Sequence, residues 1–142
     1  AKGLGNGIPI CVTLSKKKIA DSLLPGMHGS TFGGNSLSTK AALTVLEIIK
    51  DKNLINNSRL MGRYFLNELK KIKSGKITQV RGKGLMLAVE LNIKGTPIVE
   101  ECIKRGLIIN CVNDYHLRFL PPLIISKEEI KKGIRIIKEI LK

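Results

Sequence analysis

Tryptophan is absent from this 142-residue chain, and the aromatic content is only 4%. That leaves little with which to stack unpaired bases. Acidic residues are also scarce: 11 Asp and Glu stand against 25 Lys and Arg, for a formal net charge of +14. Clustered cations would suit phosphate contacts. Here, however, no zinc-finger or RNP-like pattern accompanies them, and the lysines scatter over predicted helix faces instead of forming one stripe. A lysine-rich solvated surface is expected, with no nucleic-acid partner. No apolar run approaches the roughly 20 residues of a membrane span, and the start shows neither a signal nor a transit pattern. No membrane association and a cytoplasmic setting are therefore expected. Cys11, Cys102 and Cys111 lie far apart with no C-x-x-C pair, and His28 and His116 are isolated. Neither a metal site nor a disulfide framework follows from such spacing. Cys11 and Cys102 sit in apolar runs and read as small core residues. An initiator methionine is missing too, and Ala1 opens in the middle of an apparent motif, so a piece of a longer chain is expected.

What is present is a globular composition, 43% hydrophobic and 25% charged, with a core of Ile, Leu and Val. Ile8 to Leu14 reads as a buried strand, Lys16 to Ala20 as a helical turn and Pro25 to Asn35 as a Gly-rich loop. Leu37, Ala41, Val45, Ile48 and Ile49 recur at helical spacing, and Leu54, Met61, Phe65, Leu69 and Ile72 mark a second amphipathic helix. "ITQVRGKGLMLAVEL", Ile77 to Leu91, reads as two strands around a turn at Gly82 and Gly84. Thr96 as N-cap and Pro97 at the first helical position predict a helix stopping at Gly106. Leu107 to Ile109 and Leu117 to Leu120 read as short strands. Ser126 and Glu129 form the S-x-x-E capping box of a last helix with its face at Ile130, Ile134, Ile137 and Leu141. The region from Ile77 is thus an α+β unit with helices on one face of a small sheet.

Three glycine-rich stretches invite chemistry. "GLGNGI" from Gly3 has its third glycine displaced and the strand on the wrong side for a dinucleotide turn. "GSTFGGNS", Gly29 to Ser36, nearly matches a P-loop, but Asn35 replaces the lysine that must reach the terminal phosphates. It remains a loop where Ser30, Thr31 and backbone amides suit an anion ahead of a helix. "RGKG", Arg81 to Gly84, reads as a turn. Lys2, among glycines at the edge of a buried strand, is placed where desolvation favours the neutral, nucleophilic amine.

Taken together, "AKGLGNGIPI", "PGMHGSTFGGN", "VRGKGLMLAVEL" and "LRFLPPLIISKEEI", in that order, resemble the C-terminal part of class III aminotransferases, pyridoxal-phosphate enzymes of fold type I. The resemblance is strongest to members acting on N-acetylornithine. It implies an α/β fold made of the end of a large cofactor-binding domain (residues 1–36), linking helices (37–73) and a small α+β domain (74–142). By the same resemblance Lys2 matches the lysine that forms a Schiff base with pyridoxal phosphate, and Thr31 the threonine that binds its phosphate across a homodimer interface. Ser30 matches a substrate-contacting neighbour, and Arg118 an arginine that receives a substrate carboxylate. The implied reaction transfers the δ-amino group of N-acetylornithine to 2-oxoglutarate in arginine biosynthesis, with ornithine, succinylornithine or 4-aminobutyrate as alternative donors. The family's acidic partner of the pyridine nitrogen has no counterpart here, so the isolated chain is expected to be inactive. The reading from a different class is a non-catalytic basic binding module.

Overall fold

A computed structural model describes residues 2–142, which divide into two compact units, the first ending at Asn53 and the second running from Leu54 to Lys142. In the first, a 3-10 turn at Gly3–Gly5 is closed by Asn6 in the left-handed conformation, its N–H donating to the Gly3 carbonyl at 3.2 Å. The turn packs against helix α2, Ser36–Asp51, and Gly5 is buried there. Glycine is required at that point, since a Cβ would come within 2.9 Å of Ile10 Cγ2. Between turn and helix lie an irregular segment, the single-turn helix α1 at Lys17–Ala20, and a series of bends. Asn35 caps α2 by accepting the Ser38 N–H at 3.0 Å, while its amide donates to the Ser38 hydroxyl.

The expected strand at Ile8 to Leu14 is not formed: the segment is irregular, and Leu14 is 90% exposed. An apolar run specifies that a segment wants cover, but a strand exists only when a neighbour takes its N–H and C=O groups. Cys11 is likewise exposed, correcting its expected place in a core.

The second unit follows its hydrophobic pattern closely. Helix α3, Leu54–Lys70, buries Leu54, Gly62, Phe65 and Leu69 on one side. Strands β1 (Ile77–Lys83) and β2 (Met86–Leu91) form a hairpin whose turn is at Gly84 and Leu85; Gly82 belongs to the strand. Helix α4, Thr96–Lys104, carries Pro97 in its first turn, but its N-cap is Gly95 rather than Thr96. A side chain at Gly95 would bring a Cβ within 2.6 Å of Cys111 Sγ, so close packing decides the boundary over capping preference. The next strand, β3, is Asn110–Val112 and not Leu107 to Ile109; it joins β4, His116–Phe119, through a loop in which Asn113 and Asp114 both have positive φ. Helix α5, Lys127–Leu141, starts with the expected capping box, Glu129 N–H donating to Ser126 Oγ and Ser126 N–H to Glu129 Oε2. The Ser126 N–H, and after it the Ser126 hydroxyl that donates to the same Oε2, hold the Glu129 carboxyl below its usual range.

The strands pair antiparallel in the order β1-β2-β4-β3. Strand alternation sends Leu87, Val89, Leu91, Leu117 and Phe119 into a core shared with Leu69, Ile98, Cys102, Ile130, Ile137 and Leu141 from the helices. Phe119 and Phe65 meet edge to face, with centroids 5.4 Å apart. The intervening residues Ala88, Glu90, His116 and Arg118 consequently share the other face, at intermediate exposure.

Candidate active site

In the first unit Lys2 leads directly into the Gly3–Gly5 turn. Its side chain is exposed, so the expected burial of the amine at a strand edge is not met, because the strand that would shield it is not formed. A Cβ at Gly3 or Gly7 would meet nothing within 4 Å, which leaves open space beside the lysine. Ser30 and Thr31 are neighbours on the exposed loop before α2, and neither hydroxyl has a hydrogen-bond partner among the described residues. Ser30 also lines a cavity of about 340 Å³ with Pro9, Ile10, Cys11, Phe32 and Asn35; Thr31 does not line it. An accessible primary amine suits an aldehyde and the free hydroxyls suit a phosphate; among the described residues no cavity lining joins Lys2 to Ser30 and Thr31.

Arg118 lies in the second unit, on β4. It lines a cavity of about 490 Å³ whose walls are mainly apolar, from Leu107, Ile108, Leu120, Pro121 and Ile125. Its Nε–H donates to Asn110 Oδ1 at 3.1 Å, and it has no carboxylate partner among the described residues. Bracing of the sheet by an Arg118 ion pair is therefore excluded within this unit; that role falls to Arg81, whose Nη1 lies 2.6 Å from Glu90 Oε2 across β1 and β2. The Arg81 hydrogen bond lowers the Glu90 carboxyl below its ordinary range. His116 Nε2 approaches the same Glu90 oxygen at 3.4 Å.

Asn110 escaped the sequence reading because β3 was placed three residues early. The adjacent Asn113 and Asp114 were the available signal, since these residue types favour a tight connection between antiparallel strands.

Cys102 is fully buried against the sheet, and burial pushes its thiol up to about 11. Since the thiolate is the reactive form, a short pulse of iodoacetamide at pH 8 should label exposed Cys11 readily and leave Cys102 unlabelled until the protein is denatured. Mass spectrometry of the digested protein reads the difference, and equal labelling of both would show that the core opens readily. Among the described residues no group of His, Cys, Asp and Glu is placed to hold a metal. Nor is any helix long and apolar enough to cross a membrane.

A family model described as aminotransferase class-III matches residues 1–141. The chain is 45% identical over 141 residues to an acetylornithine aminotransferase of Aquifex aeolicus, covering 99% of this chain and 36% of that protein. It is 42% identical over 140 residues to an ornithine aminotransferase of Staphylococcus carnosus, covering 98% and 35%. A solved ornithine aminotransferase of Toxoplasma gondii, described with partial occupancy of PLP at its active site, superposes with a TM-score of 0.82 at 32% identity, over 87% of this chain and 30% of that one. The chain thus spans about a third of the length of these relatives, and across that third it belongs to the class III aminotransferases.

Proposed function

We propose that this chain acts as the C-terminal third of a pyridoxal-phosphate-dependent aminotransferase that moves the δ-amino group of N-acetylornithine to 2-oxoglutarate, a cytoplasmic step of arginine biosynthesis. The observation that carries it is the class III match over residues 1–141, which takes in Lys2, Ser30, Thr31 and Arg118 together. When bound, pyridoxal phosphate supplies an aldehyde that can accept and return an amino group, and a ring that takes up electrons from the reacting carbon. Lys2 would hold it covalently. As a free amine, Lys2 Nζ would serve as the general base for the proton on the substrate's amine-bearing carbon. The Thr31 hydroxyl would donate to the phosphate, and Ser30 would contact substrate.

Arg118 presents a planar fork suited to a substrate carboxylate, and the apolar wall of Leu107, Ile108 and Leu120 suits the substrate's methylenes. A homodimer would cover the loop bearing Ser30 and Thr31; the 80% exposure of the adjacent Phe32 supports such cover. Alone, the 142 residues would not turn over, for want of an acid on the cofactor's ring nitrogen. Ornithine as the donor is the second reading, favoured by the ornithine aminotransferases among the relatives.

Steady-state kinetics of the full-length, cofactor-loaded protein test this. N-acetylornithine with 2-oxoglutarate should give the highest kcat/KM among N-acetylornithine, ornithine, succinylornithine and 4-aminobutyrate. Arg118→Lys should raise the KM for 2-oxoglutarate about tenfold, as expected when a bidentate contact becomes a point charge. A higher kcat/KM for free ornithine would replace the first donor by the second, and no transamination with any of the four would overturn the proposal.

A further inference from the structure

We propose that Asn110 is a positioning residue for Arg118, orienting its guanidinium toward a substrate carboxylate while leaving its charge unspent; this rests on the reading of Arg118 given above. Asn110 and Arg118 are direct partners in the β3–β4 ladder, and the Nε–H to Oδ1 hydrogen bond of 3.1 Å spans them. Because Nε–H can only donate, the amide must present its oxygen, which fixes the side of the guanidinium that faces β3. The terminal amino groups have no other protein partner among the described residues, so the two-pronged end that matches a carboxylate stays open. Both residues line the 490 Å³ cavity, and Arg118 also borders a cavity of about 360 Å³ with Arg81, Lys83 and Ala88.

The chemistry of the partner matters as much as its place. A carboxylate at position 110 would pair with the guanidinium and compete with the substrate; an amide holds it without adding charge. On Arg118's other side its ladder partner is Ala88, which brings neither acceptor nor bulk. Glu90 on this face pairs with His116 in the ladder and is engaged by Arg81 at 2.6 Å, and Glu129, which lines the same cavity, is held by the Ser126 N–H and hydroxyl. Asn110 is itself exposed, and an exposed side-chain hydrogen bond adds little to stability. Its contribution therefore falls on orientation.

The experiment uses the full-length, cofactor-loaded protein with three variants, Asn110→Ala, Asn110→Asp and Arg118→Lys, and the Asn110→Ala/Arg118→Lys double variant. Kinetics with 2-oxoglutarate are joined by calorimetric binding of glutarate, an unreactive dicarboxylate. Asn110→Ala should raise the KM for 2-oxoglutarate and the Kd for glutarate about fivefold, with kcat, the melting temperature and the visible spectrum of the cofactor unchanged. Asn110→Asp should raise both constants further, to about thirtyfold, through the competing charge. The double variant should be no worse than Arg118→Lys alone, because Asn110 acts through Arg118. A lowered melting temperature in Asn110→Ala with KM and Kd intact would make Asn110 merely structural and overturn the proposal. If Arg118→Lys impairs carboxylate binding but Asn110→Ala does not, Asn110 fails and Arg118 stands. If neither does, the Arg118 reading fails first and takes Asn110 with it.

Discussion

Lys2→Ala in the full-length protein should lower transamination by about a thousandfold or more, the scale on which removal of a covalent and proton-transferring amine acts. The loss should be chemical and not structural. Lys2 is exposed at the head of the Gly3–Gly5 turn, and that turn is held by the Asn6 N–H on the Gly3 carbonyl and by the burial of Gly5, neither of which involves the lysine side chain. A thermal melt within the scatter of the parent is therefore expected. Sodium borohydride should fix the cofactor to the peptide containing Lys2 in the parent and to no peptide in the variant. Of the other lysines of this unit, Lys17 is engaged with Asp21 at 3.0 Å, and Lys16 stands ahead of the single-turn helix without the glycine run that leaves space beside Lys2. Borohydride fixation at any other lysine, or turnover surviving in the variant, would remove Lys2 from its assigned role.

The largest stability effect is expected at Gly62, far from any of the reacting groups in sequence. This helical glycine is buried, and a methyl group there would overlap the carbonyl of Gly84 at the β1–β2 turn. Backbone on backbone cannot yield as a flexible side chain can. Gly84 rests against Ser58 of the same helix as well, where a Cβ on Gly84 would lie 2.9 Å from Ser58 Oγ, so the close approach spans a full turn of α3. Gly62→Ala should therefore cost about 3 kcal/mol or more, through displacement of α3 from the sheet, although alanine is the better helix former by about 1 kcal/mol. Gly75→Ala is the matched control. Its Cβ would meet nothing within 4 Å, and it should stay within about 0.5 kcal/mol of the parent. Urea unfolding followed by circular dichroism measures both. Similar midpoints for the two variants would show that α3 does not need its close approach.

Legibility differed between the two units for a physical reason. From Leu54 onward each amphipathic element finds its partner inside the same unit, so Phe65 and Leu69, Leu87 and Val89, and Ile130 and Ile137 are buried where their spacing puts them. The apolar run at Ile8 to Leu14 carries the same kind of signal without a ladder to receive it, and remains irregular. Boundaries slipped where packing overruled local preference, as at Gly95 against Cys111. Among the candidate residues, Lys2, Ser30, Thr31 and Arg118 were proposed through motif resemblance. Asn110 was not, because its proposed role lies in a cross-strand pairing that no motif encodes.

Strand β4 alternates between two duties: Leu117 and Phe119 seal the core, while His116 and Arg118 look the other way. A slip of β4 by one residue would turn the guanidinium of Arg118 into the hydrocarbon interior and put leucine or phenylalanine at the cavity mouth. Burying an unpaired cation costs far more than such a unit can spare. Misregistered chains are thereby eliminated at the folding step, and the oily side of the strand serves as the proofreader of the polar one.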